Sequence, residues 1–261
     1  MATLIHCSYH KCLTVFFRRV MEPSLAYLGG YRHFNSDLAR FEAERPSLRL
    51  ASINNLALDA DALGDVRISR FVRDPRDLVV SGYFYHRRGA EPWCREIDPD
   101  PREWASQRNR DVPRALRPGE SLEQCLQRLD REDGLIAEME LRARHFDSMR
   151  AWPTDDPRIR VWRYEDTLGN ERRVMGEVAG HYELPFPVRR LIQHNALRFD
   201  SRRAVAARDG HVRNPNSGQW RNVFTPRVER EFMRRWGDLL PLLGYDNEAA
   251  NPDCARAAAA A

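Results

Sequence analysis

Strand-like segments that alternate with helical patterns constrain the fold of this chain more than any other feature. Short runs rich in β-branched and aromatic residues predict strands at Thr3–Ser8, Leu48–Asn54, Val66–Arg73 and Arg158–Tyr164. Apolar residues at helical spacing begin at Leu13, and Pro23 is expected to end or bend that helix. Because strands that alternate with helices pair in parallel, the sequence predicts an α/β fold with a central parallel β-sheet flanked by helices.

Capping residues locate several further helices. Asp74 and Pro75 suit the N-cap and first position of a helix that runs to about Arg87. Ser121 and Gln124 form a capping box that starts a helical region reaching about Arg150, with Gly134 as the expected break. Additional helices are predicted near Glu171–Tyr182, near Val188–Asn195 and after the Thr225–Pro226 cap.

The length of 261 residues fits one large domain, which we predict over residues 1–250. Residues 90–119 are rich in Pro, Arg, Asp and Trp, a composition that indicates an irregular, lid-like excursion. Residues 251–261 end in a run of alanines and are expected to form a tail outside the fold.

Composition excludes several classes of protein. The net charge of +4 comes from mixed charges, which argues against a dedicated nucleic-acid binder. The five cysteines show no C-x-x-C spacing, so we expect free thiols, no metal site and a reducing, cytoplasmic location. No apolar run approaches the roughly 18 residues of a membrane span, and no signal peptide is evident at the N-terminus.

The turn after the first predicted strand reads "YHKCLT". The unpaired N–H groups at a helix N-terminus attract anions, and Lys11 and Thr14 would add a positive charge and a hydroxyl donor. An ordinary turn with an exposed lysine is the alternative. The Walker pattern G-x-x-x-x-G-K-[ST] is absent, so the turn is not expected to bind ATP or GTP in the usual way.

Three later segments carry further candidates for anion binding. Arg73 ends a predicted strand, and Ser81 lies about two turns into the next helix; a structural Arg73–Asp77 ion pair is the alternative. Tyr164 closes another strand in "VWRYEDTLGN". Two arginines, Arg213 among them, crowd the polar segment "VRNPNSGQWRNVFT", which otherwise reads as a surface loop.

Taken in order, "HKCLTVFF", "RDPRDLVVSGYFYH", "YEDTLGN" and "RNPNSGQWRNVFT" resemble the binding segments of the sulfotransferases that use 3′-phosphoadenosine 5′-phosphosulfate (PAPS). The resemblance spans roughly Thr3 to Thr225. It implies a P-loop-NTPase-like sulfotransferase fold and an enzyme that moves the sulfuryl group from PAPS to an acceptor hydroxyl by in-line displacement, without a metal. The alternatives are a non-catalytic nucleotide-binding homologue and a P-loop-type kinase.

The resemblance also implies roles for individual residues. Lys11 would neutralise the leaving phosphate. The 5′-phosphate would be held around Cys12, Leu13, Thr14 and Val15. The 3′-phosphate would be held by Arg73, Ser81, Arg213 and Asn214. Tyr164 would lie near the adenosine, and Leu197 stands where the family often has an aromatic residue that packs on adenine.

Departures from the family pattern affect the same segments. Leu13 stands in place of a glycine, so we expect the turn to keep an ordinary right-handed start to the helix. Val15 replaces a hydroxyl residue, and Pro215 replaces a glycine whose N–H would face the phosphate.

The general base is the open point. The stretch "LASINNLALDAD" lacks the family's histidine, which leaves His10 as the candidate base, with His33, His86, Glu42 and Glu44 as other candidates. The acceptor could be a small alcohol, a phenol, a sugar or a peptidyl tyrosine, and the oligomeric state stays open.

Overall fold

The computed structural model describes residues 2–26, 29–199 and 215–246. Within these ranges, five parallel strands form one sheet in the order β2-β3-β1-β4-β5. The strands are β1 Thr3–Ser8, β2 Tyr31–His33, β3 Leu50–Asn54, β4 Val66–Val72 and β5 Ile159–Arg163. The predicted parallel sheet is therefore present, with four of its strands close to their predicted positions.

Strand β2 is missing from the sequence-based prediction. It has only three residues, two of them the polar Arg32 and His33, so it shows no apolar alternation. Its pairing with β3 aligns Tyr31 with Leu50 and His33 with Ser52. In β1, Ser8 is aligned with Asn54 of β3. The carboxyl ends of the three strands thus lie side by side.

Helices cover both faces of the sheet. On one face, Ile5 and Ile53 belong to an apolar cluster with Phe41, which is supplied by helix α2 (Leu38–Glu44). On the other face, His6 stacks on Phe17 of helix α1 (Thr14–Leu25), with ring centroids 3.5 Å apart. Burial of both faces is what a parallel sheet requires.

The chain divides into two compact units. The first contains the described residues up to Arg73 and from Trp152 to Asn216; the second contains Asp74–Ala151 and the described residues from Ser217 onward. The remaining helices of the first unit are α3 Ala60–Leu63, α9 Tyr164–Thr167, α10 Glu171–His181 and α11 Phe186–Arg198. Those of the second are α4 Pro75–His86, α5 Pro101–Arg108, α6 Leu122–Arg128, α7 Arg131–Leu141, α8 Ala143–Arg150, α12 Pro226–Trp236 and α13 Leu239–Leu242, and three 3₁₀ turns lie at Arg45–Ser47, Pro92–Arg95 and Gln219–Asn222.

Most of the predicted caps are present. The Asp74 carboxylate accepts from the Arg76 N–H at 2.9 Å, the Ser121–Gln124 capping box is formed, and Thr225 accepts from the Val228 N–H. These caps fix where α4, α6 and α12 begin because each satisfies an N–H group that the helix leaves unpaired.

Pro23 does not end α1, which continues to Leu25, and a bend at this residue stays a prediction. The predicted break at Gly134 is wrong. Gly134 lies inside α7, where a Cβ atom would come within 2.5 Å of the Tyr83 ring, so this glycine serves close packing. The region is interrupted at Asp130, whose side chain accepts from the Asp133 N–H and starts α7 afresh, and again at Arg142, between α7 and α8.

The prediction of an irregular excursion at residues 90–119 is also wrong in part. The segment contains a 3₁₀ turn and α5, and Ile97 bridges to Ser121. The Trp93 and Trp104 rings are buried against each other, with centroids 5.3 Å apart, so both belong to the packed interior of the second unit. A lid function for this segment stays a prediction, as do the limits of the domain at residues 1–250. No helix among the described residues is long and apolar enough to span a membrane.

Candidate active site

The turn between β1 and α1 has an unusual backbone. Lys11 and Leu13 both have positive φ, +74° and +57°, and the Cys12 N–H between them donates to the Tyr9 carbonyl at 2.9 Å. Leu13 is the N-cap of α1, and no side chain caps this helix end. The N–H groups of the first turn are therefore left for a ligand, and the helix dipole favours a negative one.

The expectation of an ordinary right-handed start to the helix at Leu13 is wrong. Leu13 adopts the left-handed conformation that a glycine would adopt freely, at a cost of roughly 1–2 kcal/mol. The neighbouring Tyr9 and Cys12 side chains are buried, and the Cys12 N–H bond to the Tyr9 carbonyl closes the turn. The turn thus holds a backbone shape that the Leu13 side chain alone would disfavour.

Hydroxyl groups line the start of α1. The Thr14 Oγ1 atom lies 2.9 Å from Ser8 Oγ, and the Ser8 hydroxyl donates to Asn54 Oδ1 at 2.8 Å. Thr14 is the first residue of α1 and stays partly exposed, as does Val15 after it. The predicted hydroxyl donor is therefore placed at the uncapped helix end.

Lys11, Arg73 and Tyr164 meet at this turn. Of the 42 lysine and arginine residues in the chain, Lys11 is the only lysine. Its carbonyl oxygen accepts from Arg73 Nη1 at 3.2 Å, and the Arg73 guanidinium stacks on the Tyr164 ring, 4.0 Å from the centroid. Arg73 is only 3% exposed. Two cationic residues are thus fixed beside the open N–H groups of α1, which makes the turn strongly attractive to an anion.

Tyr164 also reaches the C-terminal segment. Its hydroxyl donates to the Pro215 carbonyl at 2.6 Å, so Pro215, which has no N–H to offer a ligand, contributes its oxygen to the protein instead. Arg213 and Asn214, predicted to join the same clamp, lie outside the described residues.

Ser81 lies on α4, in the second unit, and is partly exposed. The same helix holds the segment that follows Asn216: the Asp77 carboxylate accepts from the Gly218 and Trp220 N–H groups at 2.7 and 3.0 Å. The sequence suggested an Arg73–Asp77 pair instead. These contacts could not be predicted from local sequence, because the donors lie about 140 residues from Asp77 along the chain. A buried carboxylate nevertheless needs hydrogen-bond partners.

Leu197 is 44% exposed on α11 and lines a cavity of about 500 Å³. The other lining residues are Gly169, Asn170, Glu171, Arg172, Arg173 and Gln193. This placement leaves its role beside adenine a prediction.

The candidate bases differ in their surroundings. His86 is fully buried in the second unit, with Nδ1 2.7 Å from Glu138 Oε2, which makes it a structural residue. His10 is half-buried, and its backbone N–H donates to Asn55 Oδ1 at 2.8 Å. His33 lies at the end of β2, where burial lowers its pKa to about 4. Its role as base, like that of His10, stays a prediction.

A sequence profile of the sulfotransferase domain matches residues 6–241. The chain belongs to the sulfotransferase domain family. The predicted enzyme class, a sulfotransferase, is therefore confirmed, and neither the non-catalytic homologue nor the kinase is favoured. Comparison with curated protein sequences gives no significant match.

Solved structures resemble this sulfotransferase over nearly its whole length. Mouse sulfotransferase SULT7A1 complexed with PAP is 16% identical, with a TM-score of 0.53 and coverage of 99% of this chain and 88% of that chain. A retinol dehydratase in complex with androsterone and inactive cofactor PAP is 15% identical (TM-score 0.49; 95% and 82% covered). A sulfotransferase from Alicyclobacillus acidocaldarius is 10% identical (TM-score 0.40; 94% and 97% covered). The first likeness confirms the predicted fold class.

Proposed function

We propose that this sulfotransferase binds the 5′-phosphosulfate of PAPS at the turn between β1 and α1 and transfers the sulfuryl group to the hydroxyl of a small organic molecule. One observation carries the proposal: the chain's only lysine stands in a turn with two positive φ angles, before an uncapped helix end. The mouse structure of the same fold was solved with PAP, which supports the same nucleotide for this chain.

The residues of the turn suit the charge changes of sulfuryl transfer. PAPS supplies an activated sulfuryl group whose departure leaves negative charge on the 5′-phosphate. The Lys11 ammonium would offset that charge, and the N–H groups at the start of α1 and the Thr14 hydroxyl would hold the phosphate oxygens. Preorganised donors of this kind stabilise a transition state because they need no reorganisation as charge develops.

Arg73 suits the remainder of the nucleotide. It is buried, stacked on Tyr164 and fixed by one hydrogen bond to Lys11, so its guanidinium is held in place before a ligand arrives. Tyr164 lies near enough to Arg73 to serve the adenosine. The roles of Ser81, Arg213 and Asn214 at the 3′-phosphate, and of Leu197 at adenine, stay predictions from the family resemblance.

A reducing location such as the cytoplasm fits the thiols. The four cysteines among the described residues are unbridged and buried, and burial raises the pKa of Cys7 and Cys94 to about 12. Such thiols are poor nucleophiles and poor partners for disulfide formation. We propose cytoplasmic residence on this ground.

The decisive experiment is a transfer assay with ³⁵S-labelled PAPS and a panel of small alcohols, phenols, sugars and a tyrosyl peptide, run beside calorimetry with PAP. We expect PAP binding and labelled product with at least one small hydroxyl compound. Arg73→Ala should weaken PAP binding. Arg67→Ala, on the strand that precedes Arg73 but paired with Glu183, should not. No PAP binding by the wild type, or equal affinity in both variants, would overturn the nucleotide assignment; sulfation of the peptide alone would overturn the acceptor class.

A further inference from the structure

A continuous row of hydrogen-bonded side chains runs along the carboxyl ends of the strands. We call it the polar row; its members are Thr14, Ser8, Asn54 and His33. Beyond the Thr14–Ser8 and Ser8–Asn54 contacts, Asn54 Nδ2 lies 3.3 Å from His33 Nε2. The parallel register accounts for the row, because Ser8 is aligned with Asn54, and His33 with Ser52, on the α1 face of the sheet.

We propose that His33 is the catalytic base that takes the proton of the acceptor hydroxyl. This inference rests on the proposed function and names a residue of the same site. The polar row starts at Thr14, beside the proposed phosphate position, and ends at His33, three side-chain contacts away. The sulfuryl group and the attacking oxygen must both fit between the bound phosphate and the base, so the base cannot lie directly beside the phosphate.

The contacts of His33 prepare its ring to accept a proton. Nδ1 lies 2.8 Å from Ser52 Oγ, which in turn lies 2.7 Å from the Tyr31 hydroxyl. Since Asn54 uses its oxygen to accept from Ser8, its NH₂ group faces Nε2. In the tautomer with its proton on Nδ1, His33 donates to Ser52 Oγ and Nε2 carries the lone pair that a general base needs.

Asn35 completes the environment of Nε2. Its Oδ1 atom lies 3.0 Å from Nε2 and can accept a hydrogen bond once that nitrogen is protonated. A donor, from Asn54, and an acceptor, from Asn35, therefore flank the same ring nitrogen, and each suits one of its two protonation states.

The transfer step balances on these residues. The acceptor O–H bond breaks and its proton goes to His33 Nε2, while the oxygen forms a bond to sulfur. The bond between sulfur and the bridging oxygen breaks, and its electron pair stays on the 5′-phosphate, beside Lys11. Positioning and charge stabilisation supply the rest of the rate.

Burial, with Arg18 of α1 as a lesser influence, lowers the pKa of His33 to about 4, and Asn35 opposes the shift. Two further titratable groups lie near it: burial lowers the pKa of His6 on β1 well below its ordinary value, and burial raises the pKa of Tyr31, whose hydroxyl contacts Ser52. His33 is thus neutral at pH 7, and kcat/KM should fall only as the pH approaches 4.

The test compares His33→Gln and His33→Ala with His181→Gln, a half-buried histidine bonded to the Ile68 carbonyl. We expect both His33 variants to lose about 10²–10⁴-fold in kcat with any acceptor the wild type uses, with PAP affinity kept within threefold. The loss should shrink for more acidic phenols, which need less help to lose a proton, and the inflection near pH 4 should disappear. His181→Gln should keep its kcat.

Three results would overturn the assignment: a kcat for His33→Gln within threefold of the wild type, an equal loss for all acceptors, or a loss that follows His10→Ala instead. If His33 had only a structural role, its loss would lower PAP affinity or the unfolding free energy together with kcat. Both quantities are therefore measured for His33→Gln and His33→Ala beside kcat. Failure of the wild type to transfer sulfate from PAPS would reject the proposed function itself. The wild-type assay is therefore completed before any variant is compared.

Discussion

His33 and His86 have the same lowered pKa, about 4, in opposite surroundings. His33 lies at a strand end, partly exposed, among the neutral side chains of Ser52, Asn54 and Asn35. His86 is fully buried in the second unit against the Glu138 carboxylate. Burial is the main cause in both cases. A lowered pKa alone therefore does not mark a functional histidine; the two differ in exposure to solvent and in the charge of their neighbours.

The surroundings of His86 form a closed charge cluster. Glu138 Oε1 accepts from Arg142 Nε at 2.6 Å, and Arg110, only 4% exposed, stacks on Trp93. Gly82 lets this cluster approach α4, because a Cβ there would lie 2.0 Å from Glu138 Oε1. Burial lowers the pKa of Arg110 to about 10. The hydrogen bond with His86 and the charge of Arg142 keep the pKa of Glu138 low despite its own burial. We infer a structural role for this cluster.

The largest predicted effect is a loss of stability on substitution in the charge cluster around His86. Glu138→Gln removes the carboxylate that Arg142 and His86 share, and we expect a loss of about 3–5 kcal/mol in unfolding free energy, measured by urea denaturation. Glu231→Gln on α12 is the matched control; its ion pairs are near water, so its loss should be much smaller. Equal losses would mean that the cluster has no special structural weight.

Substitution of Lys11, in the turn between β1 and α1, should change the activity rather than the stability. Lys11→Ala is expected to lower kcat by about 10²–10³-fold, because a charge-stabilising donor is lost, while the unfolding free energy changes little. Lys11→Arg should restore only part of the rate, since a planar guanidinium cannot replace a compact ammonium at one oxygen. Sulfate-transfer kinetics of both variants test this, and full activity of Lys11→Ala would contradict it.

Acid should act on both histidines at once. Each has a folded-state pKa near 4 against an ordinary value of 6.5, so the unfolded chain binds more protons between these limits, and unfolding free energy should fall as pH drops from about 6.5 to about 4. The slope is roughly 1.4 kcal/mol per pH unit for each histidine. Denaturation curves at several pH values should show a shallower slope for His33→Gln than for the wild type; identical slopes would place His33 in an ordinary, solvated environment.

The smallest effect concerns Leu13. Leu13→Gly should be about 1 kcal/mol more stable than Leu13→Ala, because glycine removes the cost of the positive φ that alanine retains. At Leu191, an exposed position in the middle of α11, the order should reverse by a similar amount. Thermal unfolding of the four variants measures this, and the same order at both positions would argue against strain in the turn.

Local signals explain what could be predicted from the sequence. The strand that ends at Val72, the Asp74–Pro75 cap and the capping box at Ser121 each depend on residues within a few positions of one another. The candidate site residues Lys11, Thr14, Arg73 and Tyr164 follow strand ends, and parallel pairing brings strand ends together. The structure places these four in the first unit.

The features that escaped prediction depend on distant partners. Strand β2 exists because β3 offers it a parallel edge, and only that pairing brings His33 to Asn54. The positive φ of Leu13 is a local exception: it belongs to a turn closed by the Cys12 N–H bond to the Tyr9 carbonyl, and it runs against the residue's own preference. Neither effect leaves a pattern at the affected residue, so no reading of local sequence could have found it.

The central claim is that the phosphosulfate binds at Lys11, and the chain's single lysine allows a direct measurement. The native enzyme would be treated with a lysine-acetylating reagent, with and without PAP, and the acetylated fraction of the Lys11 peptide followed by mass spectrometry beside residual activity. We predict that activity is lost in step with acetylation of Lys11 and that PAP slows both. Full activity in enzyme acetylated at Lys11, or acetylation that PAP leaves unchanged, would contradict the claim.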